Sequence, residues 1–293
     1  MTNDRLLYRR GILQLVASGF FLSTSGIALR IIEQANSWQI LFYRSIALSV
    51  TILLILVFQK RSRFFDEFRG LGWNDFLLAV FLGTGFVAYV FALLHNTVAN
   101  ALFIFRCAPF IAGFLGWILL GERVATRTWY AIGVAMVGLA VMVISELTVS
   151  HYLGTMLALW IPISYAASII AVRRSKRDNM LVALCLAGIV AGGLSAIFVT
   201  DYALTSRDLI ISLYLGVFQV GVGFTLVVLG SRYVPAAQVG LLALVEPILA
   251  PVWAWMGVGE VPGTATIVGG TIIFLAIFSD GILNIKSSDS QSA

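Results

Sequence analysis

Three ionisable side chains stand inside long apolar stretches of this sequence: Arg44, Arg106 and Glu246. A charge without water or a partner is strongly disfavoured there, so such residues face a cavity or one another and mark routes for ions and polar solutes. Glu246 is the candidate coupling residue, because a carboxyl group withdrawn from water can take up and release a proton within a working cycle. Its alternative is a structural acid held by nearby backbone. Arg106 can grip a carboxylate or phosphate through two parallel hydrogen bonds, or it can form a static ion pair with Glu246. Arg44 lies a few residues from the end of its stretch, where its stem lets the guanidinium snorkel to water.

Around these charges are side chains suited to an amphiphilic ligand. Trp160 and Tyr165 in the run WIPISY, with Gln219, Tyr89 and Ser18, are substrate-binding candidates, since aromatic faces with a few hydroxyl and amide groups fit a small organic molecule. Each alone can equally serve as packing glue between helices. Pro109, Pro162, Pro247 and Pro251 are hinge candidates. Each lacks an N–H and frees the carbonyl four residues earlier, which suits either a hinge beside a wet cavity or a plain packing kink. Glu122 and Glu260 follow Gly121 and Gly259 at helix ends and take structural or gating roles, bonding local backbone or a loop arginine such as Arg123 or Arg127. Gly83-Thr84-Gly85 and Gly221-Val222-Gly223 superficially match phosphate loops, but no strand precedes them, and close helix packing is the better account.

The elements that must position these residues are membrane helices. Hydrophobic residues make up 60% of the chain and charged ones 11%, with a mean hydropathy of +0.97; soluble domains average about 45–50% and about 25%. A crossing needs about 20 apolar residues. Ten spans meet that requirement, at 11–32, 38–58, 75–95, 98–120, 126–146, 152–173, 180–200, 209–231, 235–257 and 262–284. The first is a retained span, being too long for a signal-peptide core and lacking a cleavage site. The net charge of +5 comes from basic clusters between the spans, a topology signal and no sign of a nucleic-acid partner. With both termini in the cytoplasm, 15 basic residues fall inside and 2 outside. Cys107 and Cys185 lie in apolar runs with no metal-ligand spacing, so neither a metal nor a cofactor is expected.

The chain also repeats itself. An offset of 138 residues pairs Gly85 with Gly223, Phe86 with Phe224, Pro109 with Pro247 and Gly121-Glu122 with Gly259-Glu260. An offset of 143 pairs Gly11 with Gly154, Ser25 with Ser168 and Arg30 with Arg173 in the first spans of each half. Five spans per repeat is an odd number, so the second copy enters the membrane from the opposite side, as in many transporters. The expected fold is an all-α integral membrane protein of ten transmembrane helices in two inverted five-helix repeats, residues 1–146 and 147–293. One tension follows. Arg106 precedes its proline by three residues and Glu246 by one. Two residues are about 200° of continuous helix, so strict symmetry sends the two charges to opposite faces.

The two copies, APFIAGFLGWILLGE (108–122) and EPILAPVWAWMGVGE (246–260), resemble the EamA family of the drug/metabolite transporter superfamily. The resemblance covers nearly the whole chain. It implies a central cavity walled mainly by spans 1, 3, 4, 6, 8 and 9, with spans 5 and 10 peripheral, in a multi-pass protein of the plasma membrane, the bacterial inner membrane. The expected activity is alternating-access transport of a small metabolite, an amino acid or similar amphiphilic solute, in the export direction, with proton coupling, by a monomer or homodimer. An intramembrane enzyme is the rival, disfavoured because His95 and His151 lie at span ends and no aspartate pair shares the interior. A receptor or assembly subunit is a second rival, but neither needs an inverted repeat.

Overall fold

In a bilayer no water satisfies backbone N–H and C=O groups, so apolar segments of this length must bond internally as helices. The computed structural model describes residues 2–60, 64–95, 104–122, 124–143, 152–175, 180–259, 261 and 263–290, and among them every regular element is helical. Span 1 comprises Thr2–Ser23 and Ser25–Arg30, and span 2 is Ser37–Lys60. After a short helix, Phe64–Arg69, come span 3 (Trp73–His95), span 4 (Ala108–Leu120) and span 5 (Thr126–Val143). The second half holds span 6 (Tyr152–Arg174), span 7 (Leu181–Ala196), span 8 (Ser206–Gly230), span 9 (Ala236–Leu242 and Val245–Val258) and span 10 (Thr264–Ser290). Five of these segments are long and apolar enough to cross a membrane, and the other five are shorter apolar helices.

Packing between spans obeys the repeat. Exchanging the halves turns the contact of spans 1 and 8 into that of 6 and 3, 1 and 9 into 6 and 4, and 2 and 8 into 7 and 3, and all six contacts are present. Pairs that map onto themselves, 2 with 7, 4 with 9 and 5 with 10, are also packed together. Phe86 meets its own counterpart Phe224 edge to face, with ring centroids 5.1 Å apart. A residue can touch its symmetry mate only near the axis, so the pseudo-two-fold passes between these rings.

Small residues allow the close approaches. A methyl group on Gly11 would fall 3.0 Å from the Gly230 carbonyl oxygen, and one on Gly230 2.9 Å from that of Gly11, which brings spans 1 and 8 into direct backbone contact. Gly83 packs on Val190 and the Ala187 carbonyl, and Gly85 on Ser164, so this glycine pair is a packing surface.

Spans 4 and 9 are broken helices. A turn at Arg106–Cys107 separates Ile104–Phe105 from the helix beginning at Ala108, and a turn at Ala243–Leu244 divides span 9. Pro109 and Pro247 are therefore the second and third residues of fresh helices, where the missing N–H removes no internal hydrogen bond. The Ala243 carbonyl accepts the Glu246 N–H at 3.3 Å, so it is not left free as a continuous helix would leave it. Pro162 and Pro251 do lie inside helices. Span 8 changes pitch instead: Leu215–Val222 is a π-helical stretch between two α-helical pieces.

Candidate solute cavity and its ion pair

Between the two halves lies a cavity of about 100 Å³. From the first half it takes Leu22 and Ser25 of span 1, Arg44 of span 2, Phe86 and Tyr89 of span 3, and Phe105 to Pro109 around the break in span 4, except Cys107. The second half adds Ile161, Ser164 and Tyr165 of span 6, Leu215, Gln219 and Phe224 of span 8, and Ala243, Leu244 and Glu246 at the break in span 9. Spans 5 and 10 stay outside the wall and pack on each other through Gly138 and Gly269. Span 2, through Arg44, is an addition to the expected wall.

Arg106 and Glu246 form a two-pronged ion pair inside this cavity, one partner from each half. The Arg106 Nη2 donates to Glu246 Oε1 at 3.2 Å, and Nη1 lies 3.1 Å from Oε2. Their side chains are 10% and 17% exposed, so the pair is largely withdrawn from solvent. The expectation that the two charges point to opposite faces is overturned, because it counted degrees along unbroken helices. Arg106 sits in the turn, off the axis of the helix that follows, while Glu246 occupies the first turn of its own half-helix. That position favours a negative charge through the helix dipole. The Arg106 guanidinium also lies 5.4 Å from the centre of the Phe105 ring, a cation–π contact.

Arg44 does not snorkel away. Its guanidinium stands over the Phe86 ring at 5.6 Å on the cavity wall, and among the described residues it has no carboxylate partner and makes no hydrogen bond. Gln219 reaches the wall from the π-helical stretch of span 8. It is 7% exposed, and its side-chain carbonyl oxygen finds no hydrogen-bond partner among the described residues. Wide helical turns of this kind recur where a helix must re-aim a side chain. Tyr165 lies in edge contact with both Phe105 and Phe224, and Tyr89 completes the aromatic lining.

Two of the sequence candidates lie elsewhere. Ser18 is buried and donates to the Leu15 carbonyl at 2.6 Å, satisfying itself within span 1, off the cavity wall. Trp160 is 36% exposed, outside the wall, and its indole N–H donates to Thr84 Oγ1 at 3.1 Å. One residue's difference along span 6, about 100° of helix, separates it from the cavity-lining Ile161. The polar side chains of span 9 are divided by the break. Gln238 bonds Tyr8 and Asp280, Trp253 bonds Ser23, and Glu246 enters the cavity.

Glu122 takes partners from the other half of the chain. It pairs with Arg173 at the end of span 6, and its second oxygen accepts the Ala236 N–H at 3.0 Å. Arg173 in turn donates to the carbonyls of Ser231 and Val234. One charge cluster thus ties the ends of spans 4, 6 and 8 to the start of span 9. Arg173 is eight residues beyond Tyr165 on the same helix, about 12 Å at 1.5 Å per residue, so the cluster lies towards one end of span 6, away from the cavity wall. Glu260, the repeat counterpart of Glu122, lies outside the described residues.

Sequence inspection missed Asp208. Fully buried, its carboxylate accepts the N–H groups of Glu33, Gln34 and Ala35, each at 3.0 Å, and so fixes the loop between spans 1 and 2 to the start of span 8. The signal present was the Thr205–Asp208 spacing of a helix cap, with Thr205 Oγ1 accepting the Asp208 N–H.

The architecture and the paired broken helices define a two-repeat membrane transporter, and residues 9–144 and 152–279 each match the model of the EamA-like transporter family. The chain belongs to that family and is a multi-pass membrane protein. It is 28% identical over 204 residues to an uncharacterised transporter of Archaeoglobus fulgidus, covering 68% of this chain and 73% of that one. It is 22% identical over 282 residues to the pseudopaline exporter CntI of Pseudomonas aeruginosa, covering 92% of this chain and 95% of the relative. A crystal structure superposes with a TM-score of 0.79 at 15% identity, covering 97% of this chain and 98% of the other, a likeness of fold alone.

Proposed function

We propose that this chain is a secondary transporter that exports a small amphiphilic metabolite, an amino acid or similar solute, across the plasma membrane by alternating access coupled to protons. The observation that carries this reading is the Arg106–Glu246 pair, which joins the halves across the cavity at the breaks of spans 4 and 9. Broken helices at a repeat interface are where transporters place solute and ion sites. While Glu246 is ionised the pair ties the halves together; protonation removes the attraction and lets one half move against the other. Both termini lie in the cytoplasm in this account, as the positive-inside distribution indicates. The Glu122–Arg173 cluster then closes the cytoplasmic face, and the cavity belongs to an outward-facing state. Pro162 and Pro251 act as hinges inside their helices, with Pro109 and Pro247 marking the breaks. The named function of the Pseudomonas relative supports the direction of transport.

Comparing metabolites released by expressing and empty cells identifies the solute, and counterflow in proteoliposomes tests the activity. Liposomes loaded with unlabelled solute should transiently accumulate labelled solute. No counterflow of any released metabolite at full reconstitution contradicts transport.

A further inference from the structure

The lining of the cavity holds two guanidinium groups and one carboxylate, Arg44, Arg106 and Glu246. Arg106 and Glu246 neutralise each other at 3.1 and 3.2 Å. Arg44 is left as a surplus positive charge, with the Phe86 ring against it, the Tyr89 side chain within electrostatic reach, and no carboxylate partner among the described residues. Close by is the mirror deficiency, the Gln219 carbonyl oxygen, an acceptor without a donor. Both line the same cavity, where spans 2 and 8 are in backbone contact: an added methyl on Gly216, three residues before Gln219, would collide with the Arg44 carbonyl and Ala47. A buried polar atom left unpaired costs about 1–3 kcal/mol, so the Gln219 oxygen points to a ligand that completes it, and the partly buried Arg44 on the same cavity wall supplies a cation for that ligand.

We propose that Arg44 and Gln219 form the docking site for the charged end of the solute, which is a small carboxylic acid with an N–H or O–H donor on the adjacent carbon. The carboxylate lies in the guanidinium fork of Arg44, and the α-amino or α-hydroxyl group donates to Gln219 Oε1. Its apolar body lies among Phe86, Tyr165 and Phe224. This assignment rests on the transport reading for its purpose and deepens it by naming the charge and the functional group recognised. It also separates tasks, because the solute's anion has its own cation and need not break the Arg106–Glu246 pair in order to bind.

The test uses the purified full chain in detergent, with thermal stabilisation read at millimolar valine, 2-hydroxyisovalerate, 3-methylbutanoate and valinamide. The two α-substituted acids should stabilise the protein most, 3-methylbutanoate less, and valinamide not at all, because the amide has lost the anion. Arg44→Gln should weaken binding of the acids at least tenfold, and Arg44→Lys, which keeps the charge but loses the fork, should fall between. Gln219→Leu should bring valine down to the affinity of 3-methylbutanoate. Equal stabilisation by valine and valinamide, stabilisation by none of the four compounds, or unchanged acid binding in Arg44→Gln each overturns the site. The comparison of acid with amide uses the unaltered protein and so survives a variant that fails to fold. Acid binding without counterflow would retire the transport reading and leave the docking site standing; counterflow unaffected by Arg44→Gln would do the reverse.

Discussion

Spans 4 and 9 break at matching places, at Arg106–Cys107 and Ala243–Leu244, resume with a proline in the first turn, and end on left-handed glycines, Gly121 at φ 66° and Gly259 at φ 72°. Their charges do not match. At the offset of 138, Arg106 is paired with Leu244 and Glu246 with Ala108. The same holds on the wall contributed by spans 3 and 8, where Phe86 and Phe224 are equivalent but Gln219 faces Phe81 in the register and Tyr89 faces Val227. Residues shared by the halves build the hinge geometry and the packing. Residues in which the halves differ supply the chemistry of the cavity. A two-fold scaffold must exchange conformations between its halves, whereas a solute without two-fold symmetry needs an asymmetric site, and this division serves both.

The largest effects belong to the asymmetric pair. Arg106→Ala or Glu246→Ala alone leaves a buried charge without its partner and should destabilise the folded protein by about 3–5 kcal/mol, while the double variant should cost clearly less than the sum. Thermal unfolding of the three purified variants decides this. Additive losses would mean that the two charges act separately and that the comparison of the halves is misdrawn. At the contact of spans 4 and 9, which maps onto itself when the halves are exchanged, Gly240→Ala comes next. The new methyl would fall 2.6 Å from Pro109 Cα, a backbone atom that cannot swing aside, so the contact of spans 4 and 9 should lose about 1–3 kcal/mol. Gly270→Ala, with no atom within 4 Å, should be neutral or stabilising by up to about 1 kcal/mol. Equal behaviour of the two alanine variants in the same melts would break the claim that glycines at close helix contacts set the fit.

How much of this was legible in the sequence differs by feature. Hydropathy and the offsets of 138 and 143 are long-range averages that no local event erases, so the spans and the two-fold arrangement could be read directly. Side-chain direction depends on helix phase, and phase was lost wherever a helix broke or widened. The turn at Arg106–Cys107 turned two apparently opposed charges into partners. Trp160 and Ile161 differ by one residue, and only tertiary packing says which faces the cavity. Arg44 near a span end has the sequence signature of a snorkelling side chain, and nothing in its neighbours reveals Phe86 beneath it.

The smallest effect sharpens the comparison from outside the cavity. Trp160→Phe removes the hydrogen bond to Thr84 at a partly exposed position and should cost about 0.5–1.5 kcal/mol of stability, with transport unchanged. A loss of counterflow matching that of a cavity-wall variant such as Tyr165→Phe would show that the wall extends to Trp160.

The most direct measurement concerns Glu246. Wild-type protein and Glu246→Gln, reconstituted at equal density, are compared for solute accumulation under an imposed pH gradient and for counterflow without one. The amide keeps the shape and can still hydrogen-bond, but it cannot cycle a proton. The account predicts that Glu246→Gln retains counterflow and loses gradient-driven accumulation. Full gradient-driven accumulation by Glu246→Gln would contradict it.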